Sequence, residues 1–476
     1  MPEQTGEHAN PKKWLIFPLE IVERELSGKL LICDEALRRG WGCIIGTKQA
    51  VRESLDHLPP GVVFLKSIII SELNYMQMFR EKGHKLACLD EEGLIQNNLP
   101  HMVSVRATAQ TLAALDSFLL WGTVQRNAFA EKYPDQSGKF HVAGNPRADL
   151  WGKEKYRALE EEAVQSLTKE YGDYFIIPTS FGQHNHFMGK GGALSIYKVD
   201  KMLTQEYYDF QVAYGAYVKN IYKGFIDLID PLSREFPDMN IIIRPHPSEN
   251  RKPWDELAKK YKNVHVVFSG NVTPWLLAAK AIIHCGSTTA VEGHLLGRPV
   301  ISYCRGHSDP TYDLEVPAHA SVNVTKAEDV FKILHDIIDG KDINAHYPEI
   351  AEGHEWLKGW IDNMDSYESA YRIMDILDGL SVTPASYDAV PIPVEERSSF
   401  KEAIWSALRP LEFIPVIKDI LPFRISQGLR SRRYGKSKTK DIDASFAQDY
   451  LSGLATLNDG KNADIKLLRK NLVVIE

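Results

Sequence analysis

Short apolar runs alternate with longer amphipathic runs along most of the chain. In the first part, six runs have the length and composition of strands: KKWLIFPL, WGCIIGT, GVVFLKS, HKLACLD, DSFLLWG and KFHVAGN. Between the first two, ELSGKLLICDEALRRG carries its apolar residues at helical spacing. This alternation is typical of a parallel sheet covered by helices on both faces. We therefore predict a doubly wound α/β domain over residues 1–150.

A second series of the same kind follows a break in the pattern. The break is GNPRADLWGKEKY, in which Asn145 and Pro146 precede a charged run, as is typical of a crossing between domains. The strand candidates of the second series are DYFIIPTS, MNIIIRPHP, VHVVFSG, AKAIIHCG, RPVISYCRG and ASVNVT. We predict a second doubly wound domain over residues 151–380, with a tyrosine-rich helical insertion at about 195–236.

Residues 381–476 form a C-terminal extension of different character. Within it, residues 401–440 mix Ile, Leu and Phe with many Arg and Lys residues and few acids. Such a helical, basic segment can lie on an anionic membrane surface, where each basic residue adds about 1 kcal/mol of binding free energy. Alternatively, it packs back on the protein as a solvated strap. The pattern leaves both alternatives open.

Composition narrows the class of protein. A length of 476 residues exceeds what one hydrophobic core usually supports, and 44% apolar residues exclude a largely disordered chain. The net charge of −7 argues against a nucleic-acid partner. The five cysteines are widely spaced, and no long apolar run or signal sequence is present. We expect a cytoplasmic protein, which residues 401–440 would bring to the inner face of the cell membrane if they bind lipid.

The first chemical motif is RPHP, which directly follows an apolar strand. It contains Arg244 and His246, the latter between two prolines that restrict the backbone. Ligands of open α/β sheets bind at the carboxyl ends of the strands, and an arginine there can bind phosphate through two N–H groups. The alternative is that His246 only caps a turn.

The second motif is GSTT, which follows the strand AIIH. Gly286 permits a tight turn, and Ser287, Thr288 or Thr289 can cap the next helix, whose free N–H groups attract phosphate. Glu292 follows within the first turns of that helix, within reach of a ribose hydroxyl. The simpler interpretation is a plain helix cap with a first-turn acid.

Two further segments carry candidate groups at strand ends. CLDEEGL places Glu91 and Glu92 after a strand of the first domain, where a carboxylate can exchange a proton or act as a nucleophile; a solvated acidic turn is the alternative. PTSFGQ places Thr179 and Ser180 after the first strand of the second domain, near a diphosphate or in a mobile loop.

RPHP and HCGSTTAVEGHLLGRPVISY together resemble the C-terminal half of GT-B glycosyltransferases of bacterial surface polysaccharides. β-Kdo transferases, polysialyltransferases and teichoic-acid glycerophosphotransferases share this pair of motifs. CLDEEGL is similar to the Glu-Asp-Gly segment of β-Kdo transferases, and VAGNPRADLW resembles surface carbohydrate biosynthesis proteins. The resemblance covers residues 13–335 and implies two Rossmann-like domains facing each other across a cleft.

The resemblance also implies a function. The second domain would bind a nucleotide-sugar, favoured as a CMP-activated ulosonic sugar such as Kdo, with Arg244, His246 and the hydroxyls of residues 287–289 around its phosphate. The first domain would present a glycan or lipid-linked acceptor together with Glu91 or Glu92. Phosphate neutralisation by side chains and helix dipole would replace a metal ion, and no cofactor is expected. The alternatives are a UDP-sugar 2-epimerase, a CDP-glycerol glycerophosphotransferase and a non-catalytic assembly scaffold.

Overall fold

The computed structural model describes most of the chain as two parallel-sheet units and the helices that cover them. The described residues are 12–94, 99–189, 205–268, 270–306, 309–387, 391–392, 441–460 and 462–476. The basic segment 401–440, for which the sequence suggested either a membrane surface or a packed strap, lies outside them.

The first sheet contains, within the described residues, eight strands. They are β1 Trp14–Leu19, β2 Gly42–Thr47, β3 Val62–Leu65, β4 Lys85–Leu89, β5 Ser117–Leu120, β6 Phe140–Val142, β13 Ile465–Arg469 and β14 Leu472–Ile475. Their order across the sheet is β13-β14-β2-β1-β3-β4-β5-β6. Strands β1 to β6 are parallel. All six residues of β1 are buried, since helices cover both faces of the sheet.

The second sheet contains, in the part of the chain that the structure describes, six parallel strands. They are β7 Tyr174–Pro178, β8 Asn240–Arg244, β9 Val264–Val266, β10 Ala281–His284, β11 Val300–Tyr303 and β12 Val322–Val324. Their order is β12-β11-β10-β7-β8-β9. Because β7 lies between β8 and β10, the strand order reverses there, which is where open α/β sheets bind their ligands.

Helices connect the strands and pack on both sheets. In the first part of the chain they are Val22–Arg38, Lys48–Glu53, Leu73–Glu81, Leu99–Arg106, Ala109–Ala114, Thr123–Lys132, Pro146–Gly152 and Glu161–Tyr171. In the second part they are Gln205–Glu235, Lys252–Ala258, Thr273–Ala278, Thr289–Leu295, Glu315–His319, Ala327–Ile338, Ile343–His346, Glu349–Leu357, Ser369–Asp378 and Ala444–Leu457. Short 3-10 turns lie at Leu55–His57, Ile70–Glu72, Pro134–Lys139 and Glu154–Glu160. Among the described residues, no helix is both long and apolar enough to cross a bilayer.

The architecture confirms the fold class predicted from the apolar pattern. Each of the twelve predicted runs forms one of the strands β1 to β12. The tyrosine-rich insertion contains the 31-residue helix Gln205–Glu235. The periodicity is informative here because strands buried on both faces must be apolar throughout their length.

The chain crosses back from the second sheet to the first before its end. Ser369 begins the helix Ser369–Asp378, and its Oγ donates a 2.6 Å hydrogen bond to buried Asp149 of the first part. Arg39 pairs with Asp375 at 2.7 Å on the same helix. These contacts pack the helix Ser369–Asp378 against the first part of the chain.

The described end of the chain completes the first sheet, which the apolar pattern did not predict. Strand β14 pairs antiparallel with β2, with Leu472 opposite Gly46 and Ile475 opposite Cys43. The helix Ala444–Leu457 packs on Val22–Arg38 through buried Leu451 and its neighbours. The hairpin thus covers an edge of the sheet that would otherwise expose unpaired backbone groups.

Candidate active-site cleft

A cavity of about 280 Å³ lies between the carboxyl ends of the two sheets. Both parts of the chain contribute to its wall. The charged and hydroxyl residues that line it include Glu23, Arg24, Ser27, Glu91, Arg147, Arg157, Glu160, Thr179, Arg244, His246, Thr273, Ser287, Thr288, Thr289, Glu292 and Tyr450. Eight of the ten site residues predicted from the sequence are therefore on this wall.

Arg244 ends β8, the other residues of the RPHP motif form the turn that follows, and all four residues line the cavity. The Nδ1 atom of His246 accepts a 3.2 Å hydrogen bond from the Ser248 N–H and lies 2.7 Å from the Ser248 hydroxyl. This bonding assigns the proton to Nε2, so the ring presents an N–H donor. Arg244 donates to the carbonyl of Gly270 and stacks over the Trp275 ring, 5.7 Å from its centroid.

Buried Glu249 holds the RPHP turn against the loop after β7. Its Oε1 accepts hydrogen bonds from the Thr179 hydroxyl at 2.6 Å, the Phe181 N–H at 2.9 Å and the His246 N–H at 3.3 Å. Burial raises its pKa, although these hydrogen bonds oppose the shift. Thr179 thus lines the cavity, but its hydroxyl proton is already donated to Glu249. Local sequence gave no signal for Glu249, because two of its partners, Thr179 and Phe181, follow a different strand.

The GSTT turn follows β10 on the other side of β7. The two motifs therefore do not end directly adjacent strands, because β7 lies between β8 and β10. Gly286 has φ +58°, and Ser287 Oγ accepts a 3.3 Å hydrogen bond from the Thr289 N–H at the start of helix Thr289–Leu295. The N-cap residue of this short helix is Thr288, whose side chain makes no capping hydrogen bond, so the Ser287 hydroxyl one residue earlier satisfies the Thr289 N–H.

His284 supports the turn from within the core. It is fully buried, and burial lowers its pKa to about 3, so the ring is neutral. Its Nδ1 accepts from the Ser287 N–H at 3.4 Å, and its Nε2 lies 2.8 Å from the Ser321 hydroxyl. This histidine has a packing role, in agreement with its position inside the strand.

Glu292 lies at the meeting point of the two domains. Its carboxylate accepts a hydrogen bond from Thr273 and interacts with Arg147 of the first domain and Arg244 of the second. Burial raises its pKa, while these two arginines oppose the shift. Glu292 is therefore on the cavity wall but already engaged with side chains of the protein.

The two glutamates of the acidic turn after β4 lie in different surroundings. Glu91 is buried, its Oε1 accepts a 2.7 Å hydrogen bond from Lys29 Nζ, and its Oε2 lies 3.6 Å from Arg147 Nη1. Burial would raise its pKa, but the charges of Lys29 and Arg147 outweigh that effect and lower it to about 2. Glu91 is thus an ionised carboxylate at the cavity at neutral pH.

Glu92 and Ser180, the other two predicted residues, are not part of the described cavity wall. Glu92 is half exposed and pairs with Arg106 at 3.1 Å. The hydroxyl of Ser180 donates a 2.7 Å hydrogen bond to the Cys285 carbonyl, which ties the β7 loop to the β10 turn. Between the two glutamates that the sequence left open, the geometry favours Glu91.

Several wall residues escaped the sequence analysis. Arg147 lies in the GNPRADLW segment that follows β6, so the strand-end rule could have identified it. Lys29 is not on the wall but pairs with Glu91 behind it; it interrupts the apolar side of helix Val22–Arg38, which was a usable signal for a buried ion pair. Glu160 and Tyr450 come from segments without any motif, and only the packing brings them to the cavity.

Two doubly wound domains that face each other across a ligand-sized cleft constitute the GT-B fold. The solved structures that resemble this chain have that architecture. A variant of the wall teichoic acid polymerase TagF aligns with a TM-score of 0.50 and 12% identity over 78% of this chain and 89% of its own.

Two UDP-GlcNAc 2-epimerases also align. The enzyme of Methanocaldococcus jannaschii, solved with UDP-GlcNAc and UDP, gives a TM-score of 0.48 and 16% identity over 77% of this chain and 99% of its own. The enzyme of Neisseria meningitidis, bound to UDP-GlcNAc, gives a TM-score of 0.45 and 15% identity over 77% of this chain and 99% of its own. The sequence matches no family model and no curated protein. At 12% identity, the alignment with the TagF variant, whose TM-score is 0.50, supports the fold alone.

Proposed function

We propose that the protein is a metal-independent glycosyltransferase that transfers a sugar from a nucleotide donor to a surface polysaccharide or glycolipid acceptor. The observation that carries this proposal is the cleft itself. It brings the RPHP turn, the GSTT turn and the Glu91 carboxylate, which come from three separate strand ends, to one cavity of about 280 Å³.

The second domain supplies the donor site in this proposal. Arg244, the Nε2–H of His246 and the hydroxyls of Ser287, Thr288 and Thr289 line the same stretch of cavity wall. Cationic and N–H groups of this kind neutralise the phosphate that leaves with the nucleotide, and they do so best in a site that excludes water. Glu292, held by Thr273, faces the donor from the same side.

The first domain supplies the groups that face the transferred sugar. The guanidinium of Arg147 lines the cavity, 3.6 Å from Glu91 Oε2 and 4.7 Å over the Trp151 ring, and makes no hydrogen bond to another described side chain. A planar guanidinium binds a carboxylate through two parallel N–H groups. Arg147 thus supports the finer proposal of a CMP-activated ulosonic sugar such as Kdo, which the resemblance also favours.

A nucleotide panel tests the class of donor. CMP, CDP, UDP, GDP and dTDP are added in turn to the purified protein, and the rise in melting temperature is measured. Since stabilisation grows with ligand concentration relative to the dissociation constant, CMP should give the largest shift. A largest shift with UDP would favour an epimerase, and with CDP a glycerophosphotransferase. No shift with any nucleotide would contradict the proposal and favour the scaffold.

Two substitutions test the donor site. We expect His246→Ala and Ser287→Ala each to lower the transfer rate by about 10²-fold or more, because each removes a group that faces the developing charge. His335→Ala is the matched control, since His335 pairs with Glu235 on an outer helix. Unchanged turnover in either site variant, with the fold intact by circular dichroism, would remove that residue from the mechanism.

A further inference from the structure

The cavity wall carries a carboxylate that the proposed roles leave unused. Glu160 ends the 3-10 turn Glu154–Glu160, where the chain passes from the first domain to helix Glu161–Tyr171. The same wall carries Trp151, Tyr156 and Tyr450, the last from the C-terminal helix. This side of the cavity is therefore largely aromatic, with one acidic group in it.

No hydrogen bond or ion pair joins the Glu160 carboxylate to any other residue that the structure describes. The charged or titratable groups that it faces across the cavity are Glu292, from helix Thr289–Leu295, and the Tyr450 phenol, whose pKa is raised chiefly by burial. On its own turn, Arg157 lies 4.0 Å from Glu154. The remaining charged groups of the wall are Glu23, Arg24, Glu91, Arg147 and Arg244.

These surroundings set Glu160 apart from the other carboxylates of the wall. Burial, followed by the negative charge of Glu292, raises the pKa of Glu160 to about 7. The pKa of Glu91 is lowered to about 2, because Lys29 and Arg147 outweigh its burial. Glu292 accepts the hydrogen bond of Thr273. A base that takes a proton near neutral pH works best when its own pKa is near neutral, whereas a carboxylate whose pKa is strongly lowered is a poor proton acceptor.

We propose that Glu160 is the base that takes the proton of the acceptor hydroxyl, an inference that rests on the proposed glycosyl transfer. As the acceptor oxygen forms its bond to the anomeric carbon, the bond from that carbon to the donor phosphate oxygen breaks. The electron pair stays on the leaving nucleotide, and the hydroxyl proton passes to the Glu160 carboxylate. Glu91 remains ionised throughout and stabilises the positive charge that develops on the sugar.

The experiment compares Glu160→Gln with Glu161→Gln, a control one residue further along that is exposed. Transfer from the nucleotide-sugar is measured from about pH 5.5 to about pH 9, and nucleotide binding is measured separately. We expect Glu160→Gln to lower kcat by about 10²–10⁴-fold, with nucleotide affinity changed less than about threefold. In the wild type, kcat/KM should rise with pH through about 7, since the base must be deprotonated; Glu160→Gln should remove this rise, and Glu160→Asp should retain it.

The outcomes separate the two proposals. An active wild type, with Glu160→Gln within about threefold of its rate or with an unchanged pH profile, would overturn the role of Glu160 and leave the transferase proposal standing. A wild type that binds nucleotide and transfers no sugar from any donor would overturn both. A Glu160→Gln protein that loses nucleotide affinity in step with its rate would show that Glu160 shapes the site and is not the base.

Discussion

At the scale of single residues, the cleft depends on how charges are paired. Glu91 and Lys29 are both almost fully buried and form a 2.7 Å ion pair, with Arg147 close to the second carboxylate oxygen. A buried pair of this kind contributes little net stability compared with apolar residues, but removing one partner leaves an expensive buried charge. The pair therefore fixes the ionisation state of Glu91.

Replacing Lys29 tests this pairing. We expect Lys29→Met to lower the free energy of unfolding by about 3 kcal/mol at pH 7, because it removes the hydrogen-bonded cation from the buried Glu91 charge. Adding Glu91→Gln to Lys29→Met should recover most of the loss. Urea unfolding followed by tryptophan fluorescence measures both. Equal destabilisation in the single and double variants would show that Lys29 matters only through its packing.

The same pair predicts a pH dependence. Because the folded-state pKa of Glu91 is lowered from 4.5 to about 2, its contribution to stability is complete above pH 4.5 and is lost as the pH falls towards 2. The Glu91→Gln variant should lose less stability than the wild type between about pH 5 and about pH 3. Parallel stability curves for the two proteins over that interval would contradict the lowered pKa.

At the scale of elements, the turn from β10 into helix Thr289–Leu295 combines two different demands on glycine. Gly286 adopts φ +58° in an open region, where a Cβ would meet only side-chain atoms of Leu314, at 3.9 Å or more. Gly293 lies inside the helix, but a Cβ there would lie 2.2 Å from Ile282 Cδ1 on β10. One glycine is needed for its dihedral angle and the other for close packing.

Alanine substitutions distinguish these demands. Gly286→Ala should cost about 1 kcal/mol of stability, because alanine is strained in the left-handed region. It should also weaken nucleotide binding, since Ser287 and Thr289 follow directly. Gly293→Ala should cost about 1–3 kcal/mol through overpacking, and Ile282→Val in the same chain should relieve part of it. Denaturant unfolding measures the changes in stability, and the nucleotide shift assay measures the change in binding. If Ile282→Val gave no relief in the Gly293→Ala chain, the close contact between residues 282 and 293 would be contradicted.

At the scale of the whole molecule, the two ends of the chain meet in one sheet. Strand β14 lies between β2 and β13, and its four residues are buried. Strand β13, at the edge of the sheet, buries only one side: Leu468 is 1% exposed, whereas Leu467 is 60% exposed. The C-terminal hairpin is thus part of the first core, and the helix before it delivers Tyr450 to the cavity.

Neighbouring leucines test whether the hairpin supports the fold. We expect Leu468→Asp to lower the free energy of unfolding by more than about 3 kcal/mol, because it places an unpaired charge in the core. Leu467→Asp, on the solvent side of the same strand, should change stability little. Thermal unfolding of the two variants measures the difference. Similar unfolding of both would mean that the hairpin is not integral to the sheet.

The sequence by itself determined the strands β1 to β12 and the doubly wound class, because strands buried on both faces must be continuous apolar runs. It also predicted Arg244, His246, Ser287 and Glu91 as site residues from their positions at or near strand ends, where ligands of α/β sheets bind.

Only the tertiary structure decided which groups share the cavity and in which ionisation state. The pKa values of Glu91 and Glu160 differ because one faces two cations and the other faces a carboxylate in an aromatic wall. Neither environment is encoded near the residue in the chain. The addition of β14 to β2 likewise depends on pairing between distant segments, and the backbone hydrogen bonds that join them leave no local pattern in the sequence.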